Sequence, residues 1–240
     1  MAGQEFTDVD LSGSRFRDVL LHDVVMIGVE LAHVHIDGEI KDVVINGVDV
    51  APYVEAELDR RDPDRPRMRP TDPAGFREAW DIVERRWDET VERARRLDPA
   101  LLDESVEGEW SFIQTLRHLT FATDSWVTRA ILGEPSPWHR LGMPWSGAPP
   151  IPGWDGDLDA RPTLDEVLAL RRDRMSTVRR YVDALTEDVL DSHTDPVDAP
   201  GWPPPESFPV RRCLLIVLNE EYLHRQFAER DLAVLEQRAS

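Results

Sequence analysis

One cysteine, Cys213, stands alone among 240 residues. That excludes an internal disulfide and fits a reducing, cytosolic compartment. Lysine is scarce, and no Lys/Arg-rich run occurs: 28 basic residues face 47 acidic ones, for a net charge of −19 at pH 7. Phosphate contacts need a basic footprint, so no nucleic-acid partner is expected. The excess acid is read as a solvated surface. The N-terminus, MAGQEFTDVD, lacks a basic stretch followed by an apolar one, so no signal peptide is expected. No apolar run approaches the ~18 residues of a membrane span. No membrane partner is therefore expected, and a cytoplasmic location is. What the chain has is 41% hydrophobic residues and eight tryptophans, enough for a sizeable core in one large domain or two modest ones. Its Arg-rich, Lys-poor, Asp-rich usage is that of a GC-rich bacterial genome.

The first fifty residues carry a period of five. Phe6, Leu11, Phe16, Leu21, Met26, Leu31 and Ile36 fall at steady five-residue steps, with Val9, Val19, Val24, Val29 and Val34 two places before their partners. After a one-residue slip the rhythm resumes at Val43/Ile45 and Val48/Val50. Neither the helical period of 3.6 nor the strand period of 2 produces this, whereas stacked coils that each bury a rung of a residue ladder do. Residues 1–50 resemble the pentapeptide repeats, which implies a short right-handed β-helix segment. The repeat is degenerate, with Val where the family places Ala. At about two coils it is shorter than the three or more repeats a solenoid needs, so it is expected to pack against the rest of the chain or a second copy.

Residues 51–71 are rich in Pro, Arg and Asp without a sustained apolar pattern and read as a linker. Four helices are predicted beyond it. The first runs from Pro73, capped by Asp72, to about Leu97, with Phe76, Trp80, Val83, Trp87 and Val91 on one stripe. The second runs from Phe112, capped by Ser111, to about Leu132, with Phe112, Leu116, Leu119, Trp126 and Ala130 inward. The third follows a capping box of Thr163 and Glu166 and ends near Leu185. The fourth spans about Val210–Gln237. A long Pro/Gly/Trp loop containing Trp138, Trp145 and Trp154 separates the second helix from the third and reads as an ordered flap. The expected fold class is mainly α: an up-down-down-up four-helix bundle over 72–240, with the repeat segment at its N-terminus.

The fourth helix poses the central question. Cys213, Ile216, Val217, Phe227 and Ala228 share a face, and Glu220 and His224 fall within it, one turn apart. A carboxylate on a buried face needs a partner charge or a metal. Glu and His at i, i+4 can reach one ion, as paired His residues do in HExxH. His118, on the flank of the second helix's stripe, is the best third ligand, with His139 and His193 as alternatives. His22, His33 and His35 read as surface residues of the coils. Glu221 is read as flanking, Cys213 as a core thiol, and Arg225 and Arg230 as salt-bridge formers rather than substrate clamps. Trp110 either lines the pocket mouth or staples the helix start.

The stretches EWSFIQTLRHLTFATDSWV (109–127) and NEEYLHRQFAERDL (219–232) resemble the DinB-like superfamily of four-helix-bundle metalloenzymes. The resemblance covers residues 72–240. Members of that superfamily place one His on the second helix and an His-x-x-x-His pair on the last. Here Glu220 replaces the first His of the pair, a pattern similar to mycothiol-dependent maleylpyruvate isomerase. The resemblance implies His118, Glu220 and His224 as metal ligands. It also implies a divalent ion: Zn²⁺ first, with Ni²⁺, Co²⁺, Mn²⁺ and Fe²⁺ compatible with the donors. That isomerase carries an extra C-terminal domain, while this chain carries an N-terminal repeat, so its substrate does not carry over.

Three ligands leave a coordination position open for chemistry. The implied function is a metal-dependent enzyme acting on a small molecule. It would be an S-transferase or thiol-dependent isomerase using a low-molecular-weight thiol of the mycothiol or bacillithiol type. Candidate substrate contacts are Trp110, Trp138 and Arg225. Two alternatives remain: a hydrolase using metal-activated water, and a non-catalytic interaction protein scaffolded by the helices. A homodimer is expected from the relatives.

Overall fold

Helix starts follow local chemistry. The Asp72 carboxylate accepts from the Gly75 amide and Pro73 supplies the first turn, so a helix opens there. Ser111 and Gln114 form a reciprocal capping box at the next long helix, and Thr163 and Glu166 form one at the third. The computed structural model describes residues 3–17 and 19–239. The chain divides into two compact units, Met1–Ala51 and Pro52–Ser240.

The first unit keeps the five-residue step in its backbone. Gly3, Asp8, Gly13, Asp23, Gly28, His33 and Gly38 all have positive φ and fall on one five-residue series; Asp18, the remaining position in that series, lies outside the described residues. The side chains depart from the expectation. Instead of a buried ladder, Phe6, Leu11, Phe16, Leu21, Met26, Leu31 and Ile36 are each more than half exposed. So short a repeat has too few neighbours to enclose its apolar positions. Its two strands, β1 (Val44–Ile45) and β2 (Val48–Asp49), form an antiparallel hairpin across Asn46–Gly47, with Ile45 opposite Val48. Both turn residues have positive φ, the conformation of a type I′ turn that Asn-Gly favours.

The second unit is mainly helical. Residues 51–71, expected as a linker, instead hold helix α1 (Ala51–Arg61) and a 3₁₀ turn (Arg65–Met68). Carboxylates spaced for pairing do what an apolar stripe would otherwise do. Glu55 and Asp59 bracket Arg65 at 2.8 and 2.5 Å, Asp59 meets Arg69 at 2.6 Å, and Asp62 meets Arg86 at 2.6 Å. Asp62 also accepts from the Tyr222 hydroxyl at 2.7 Å.

Four long helices enclose the core: α2 (Pro73–Ala94), α3 (Phe112–Thr123), α4 (Leu164–Asp183) and α6 (Val210–Ala239), with the short α5 (Glu187–Leu190) before the last. Helix α2 packs on α4 and α6, and α3 packs on the same two. Phe76, Trp80, Leu116, Leu119, Val167, Val178, Leu214 and Leu232 are essentially removed from solvent. Each such side chain contributes about 1.5–3 kcal/mol of transfer free energy. After Thr123 the second helix widens into a π segment, Asp124–Arg129. There the fully buried Asp124 accepts from Arg174 of α4 and from the His139 amide of the following loop.

That loop and the segment before α6 are ordered by two buried arginines that meet carbonyls instead of carboxylates. Arg117 of α3 donates to the carbonyls of Leu141, Asp157, Leu158 and Ala160. Arg129 donates to those of Pro135, Ala199 and Pro203. The loop tryptophans form a cluster with Phe121 and Ile151.

Candidate metal centre

The deep face of α6 is broader than the expected one. Cys213, Val217 and Ala228 are buried as expected, but burial continues round the helix to Leu214, Leu218, Glu221, Leu232 and Leu235, while Ile216 is half-buried and Phe227, expected inward, is 39% exposed. Glu220 and His224 therefore stand at the edge of the core face, half-buried, and not in its middle. The reason is Glu221. Its carboxylate, 1% exposed, takes two bonds from the Arg171 guanidinium of α4 at 2.9 and 2.8 Å, and Arg171 lies 5.1 Å over the Trp87 ring. This ion pair fixes the rotation of α6 and turns the preceding residue, Glu220, toward α3.

Across that edge, α3 presents His118, which is buried. Its Nε2 lies 3.3 Å from Glu220 Oε2. Its Nδ1 lies 2.9 Å from the Met143 carbonyl, which only accepts, so Nδ1 carries the proton and Nε2 presents its lone pair. His224 Nδ1 lies 3.0 Å from the Glu220 carbonyl and 3.3 Å from Glu220 Oε2. Both neighbours accept, so Nδ1 carries the proton here too and Nε2 presents its lone pair. One ligand atom from each of His118, Glu220 and His224 lies within 4.8 Å of the others.

The electrostatics suit cation binding. Burial pushes the Glu220 carboxyl up, but the two imidazoles beside it, His118 and His224, outweigh burial and hold it below its ordinary value. Burial pushes His224 down, and the neighbouring His118 adds to this against the pull of Glu220. An ionised carboxylate beside a neutral imidazole is the protonation pattern that a divalent ion needs. Two nitrogens and one oxygen suit Zn²⁺ and its neighbours in the first transition row.

Trp110, immediately before the α3 cap, covers the two imidazoles. Its ring centroid is 4.5 Å from that of His118 and 5.8 Å from that of His224, nearly parallel to the latter. It walls the site, while Ser111 and Gln114 make the helix start.

The other candidates fall elsewhere. Trp138 is buried against Phe121, its indole N–H donates to Ser125 and Arg129 lies over its ring, so it is a pillar of the loop core and not a substrate contact. Arg225 donates to the Arg86 carbonyl and to Thr90 Oγ1, which spends it on joining α6 to α2. His139 accepts from the Leu141 amide within its own loop. His193, His22, His33 and His35 are exposed. Cys213 is fully buried, and burial pushes its thiol up to about 11, which makes it an inert core thiol. The contributions that sequence reasoning missed are Met143, a carbonyl with no side-chain signal, and Arg171. The latter left a trace: it sits one turn after Val167 on the buried stripe of α4.

The family model described as the DinB superfamily matches residues 82–228, a span that includes His118, Glu220 and His224. No curated protein and no solved structure matches the chain.

Proposed function

The chain belongs to the DinB superfamily, and from that premise we propose that His118, Glu220 and His224 hold a divalent metal, Zn²⁺ before Ni²⁺, Co²⁺, Mn²⁺ or Fe²⁺. We propose further that the protein is a metal-dependent enzyme of the thiol S-transferase or thiol-dependent isomerase type. One observation carries the reading: three ligand atoms converge within 4.8 Å, and neighbouring carbonyls already set the tautomers of the two imidazoles. A divalent ion there supplies Lewis acidity, drawing the pKa of a thiol or water at its open position toward neutrality.

The protein's own residues do the rest. The Met143 carbonyl aims His118. The Arg171–Glu221 pair holds the register of α6. The Trp110 ring excludes water from one side of the imidazoles and offers a flat apolar face to a small electrophile. In this reading α2, α3, α4 and α6 form an up-down-down-up four-helix bundle. Residues 1–50 are a degenerate pentapeptide-repeat module, supported by the five-residue φ pattern. The protein acts in the cytoplasm, as a homodimer, on a small molecule.

The test uses metal-loaded protein and a panel of small electrophiles, with mycothiol, bacillithiol or no thiol. The reading expects electrophile loss that requires both metal and thiol and disappears in Glu220→Ala. Electrophile loss that is metal-dependent but independent of thiol overturns it in favour of hydrolysis.

A further inference from the structure

Helix α6 carries a second row of large side chains away from its core side. Ile216, Glu220, Leu223, Phe227, Arg230 and Val234 follow one another at alternating four- and three-residue steps, the spacing of a helix–helix seam. The core side, with Leu214, Val217, Leu218 and Glu221, is buried where α2 and α3 pack on the helix. The second row is not: Leu223 is 37% and Phe227 39% exposed, Arg230 is exposed, and Ile216, Glu220 and Val234 are half-buried. A helix apolar on two sides has two partners to meet.

The row matches its own reverse. Paired antiparallel with a copy of itself about position 225, Ile216 meets the partner's Val234, Leu223 the partner's Phe227, and Glu220 the partner's Arg230. A two-fold axis repeats each pair in the other direction, so apolar meets apolar and acid meets base along the whole row. A parallel pairing would instead set Glu220 against the partner's Glu220 and Arg230 against the partner's Arg230, which like charge disfavours. The match ends where Arg212 would meet the partner's Arg238.

We infer that this row is the homodimer interface: a second copy of the chain packs its α6 antiparallel on the first, about a two-fold axis near position 225. The inference gives the proposed homodimer its surface and rests on that reading. Arg230 is held on the row, with its Nε on Asp231 at 2.7 Å and its guanidinium 5.5 Å over the Phe227 ring. Glu220 faces both imidazoles through Oε2, and its other oxygen accepts from the partner's Arg230. From Ile216 to Val234 the helix rises ~27 Å, and at a width of about 10 Å the strip is smaller than the ~800 Å² each partner buries in a standard interface. The dimer is therefore weak, dissociating at micromolar concentration.

Sedimentation equilibrium on the full-length protein, from about 1 to about 100 μM, measures the dimer. Leu223→Glu, a change at an exposed position, is expected to raise its dissociation constant at least about tenfold with the circular dichroism of the parent. Crosslinking with a short bismaleimide reads the register. Cys213 is fully buried and inert, so a cysteine placed on the surface is the sole reactive one. Gln226 and Asn219 are both exposed. In the antiparallel pair the two copies of position 226 lie ~3 Å apart along the axis and those of position 219 ~18 Å. Gln226→Cys is expected to crosslink and Asn219→Cys is not. Crosslinking at both positions means a parallel pair and overturns the inference. A dimer that crosslinks at neither, or that Leu223→Glu leaves intact, overturns it while the homodimer stands. Protein that stays monomeric throughout the range overturns both.

Discussion

Breaking the Arg171–Glu221 pair from one side leaves a full charge in the core. Arg171 is 3% and Glu221 1% exposed at the side chain, and the two bonds between them are 2.9 and 2.8 Å long. At an effective dielectric near 20 their attraction is about 6 kcal/mol, which the desolvation of two ions largely cancels. The intact pair is therefore worth little against an apolar replacement, while a single truncation strands one charge at a cost of about 3–5 kcal/mol. Glu221→Leu and Arg171→Met are each expected to lose that much stability in urea unfolding at neutral pH. The double variant Arg171→Met/Glu221→Leu is expected to return to within about 1 kcal/mol of the parent. Because the pair also sets the rotation of α6, the double variant should bind metal less tightly than its stability alone would suggest. Singles costing under about 1 kcal/mol, or a double variant that loses the sum of the two, would refute this reasoning.

Asp62 carries a pH prediction. Hydrogen bonding to Arg86 holds its carboxyl at about 2, despite burial, with Tyr222 assisting. A folded pKa below the unfolded value of 3.8 stabilises the protein above about pH 4, and the stabilisation is lost as pH falls from there toward 2. Asp62→Asn should lower stability by about 2 kcal/mol at pH 7 and flatten the acid limb of the stability profile in that window. Arg117→Met removes the fork that gathers four loop carbonyls, so hydrogen exchange over residues 141–160 should quicken and stability fall by about 3 kcal/mol. Added Zn²⁺ should raise the melting temperature of the parent, and thermal scans should show little or no rise for His118→Ala.

The sequence made the helix starts legible because caps are local: Asp72, Ser111 and Thr163 each signal within four residues. The convergence of His118, Glu220 and His224 was legible because each is a polar residue beside an apolar stripe on its own helix. Pairings between distant segments were not. Residues 51–71 read as a linker because their helix is held by arginines rather than by leucines. Cys213, Val217 and Ala228 of α6 were read inward correctly, but Glu221 was read as flanking because its buried partner, Arg171, is 50 residues away. The Asn46–Gly47 hairpin was a local signal that the five-residue rhythm hid. The apolar positions of the first unit are exposed because burial depends on enclosure, which spacing alone does not report.

The central claim is that two ligands sit at the edge of the α6 core face because a metal neutralises them there. Elemental mass spectrometry on tag-free protein, beside His224→Ala, tests it most directly. The account predicts close to one equivalent of divalent metal in the parent and little in a folded His224→Ala. No metal in either, after incubation with Zn²⁺, Ni²⁺ and Mn²⁺, would contradict it and leave a helical protein whose His118, Glu220 and His224 only bond to one another.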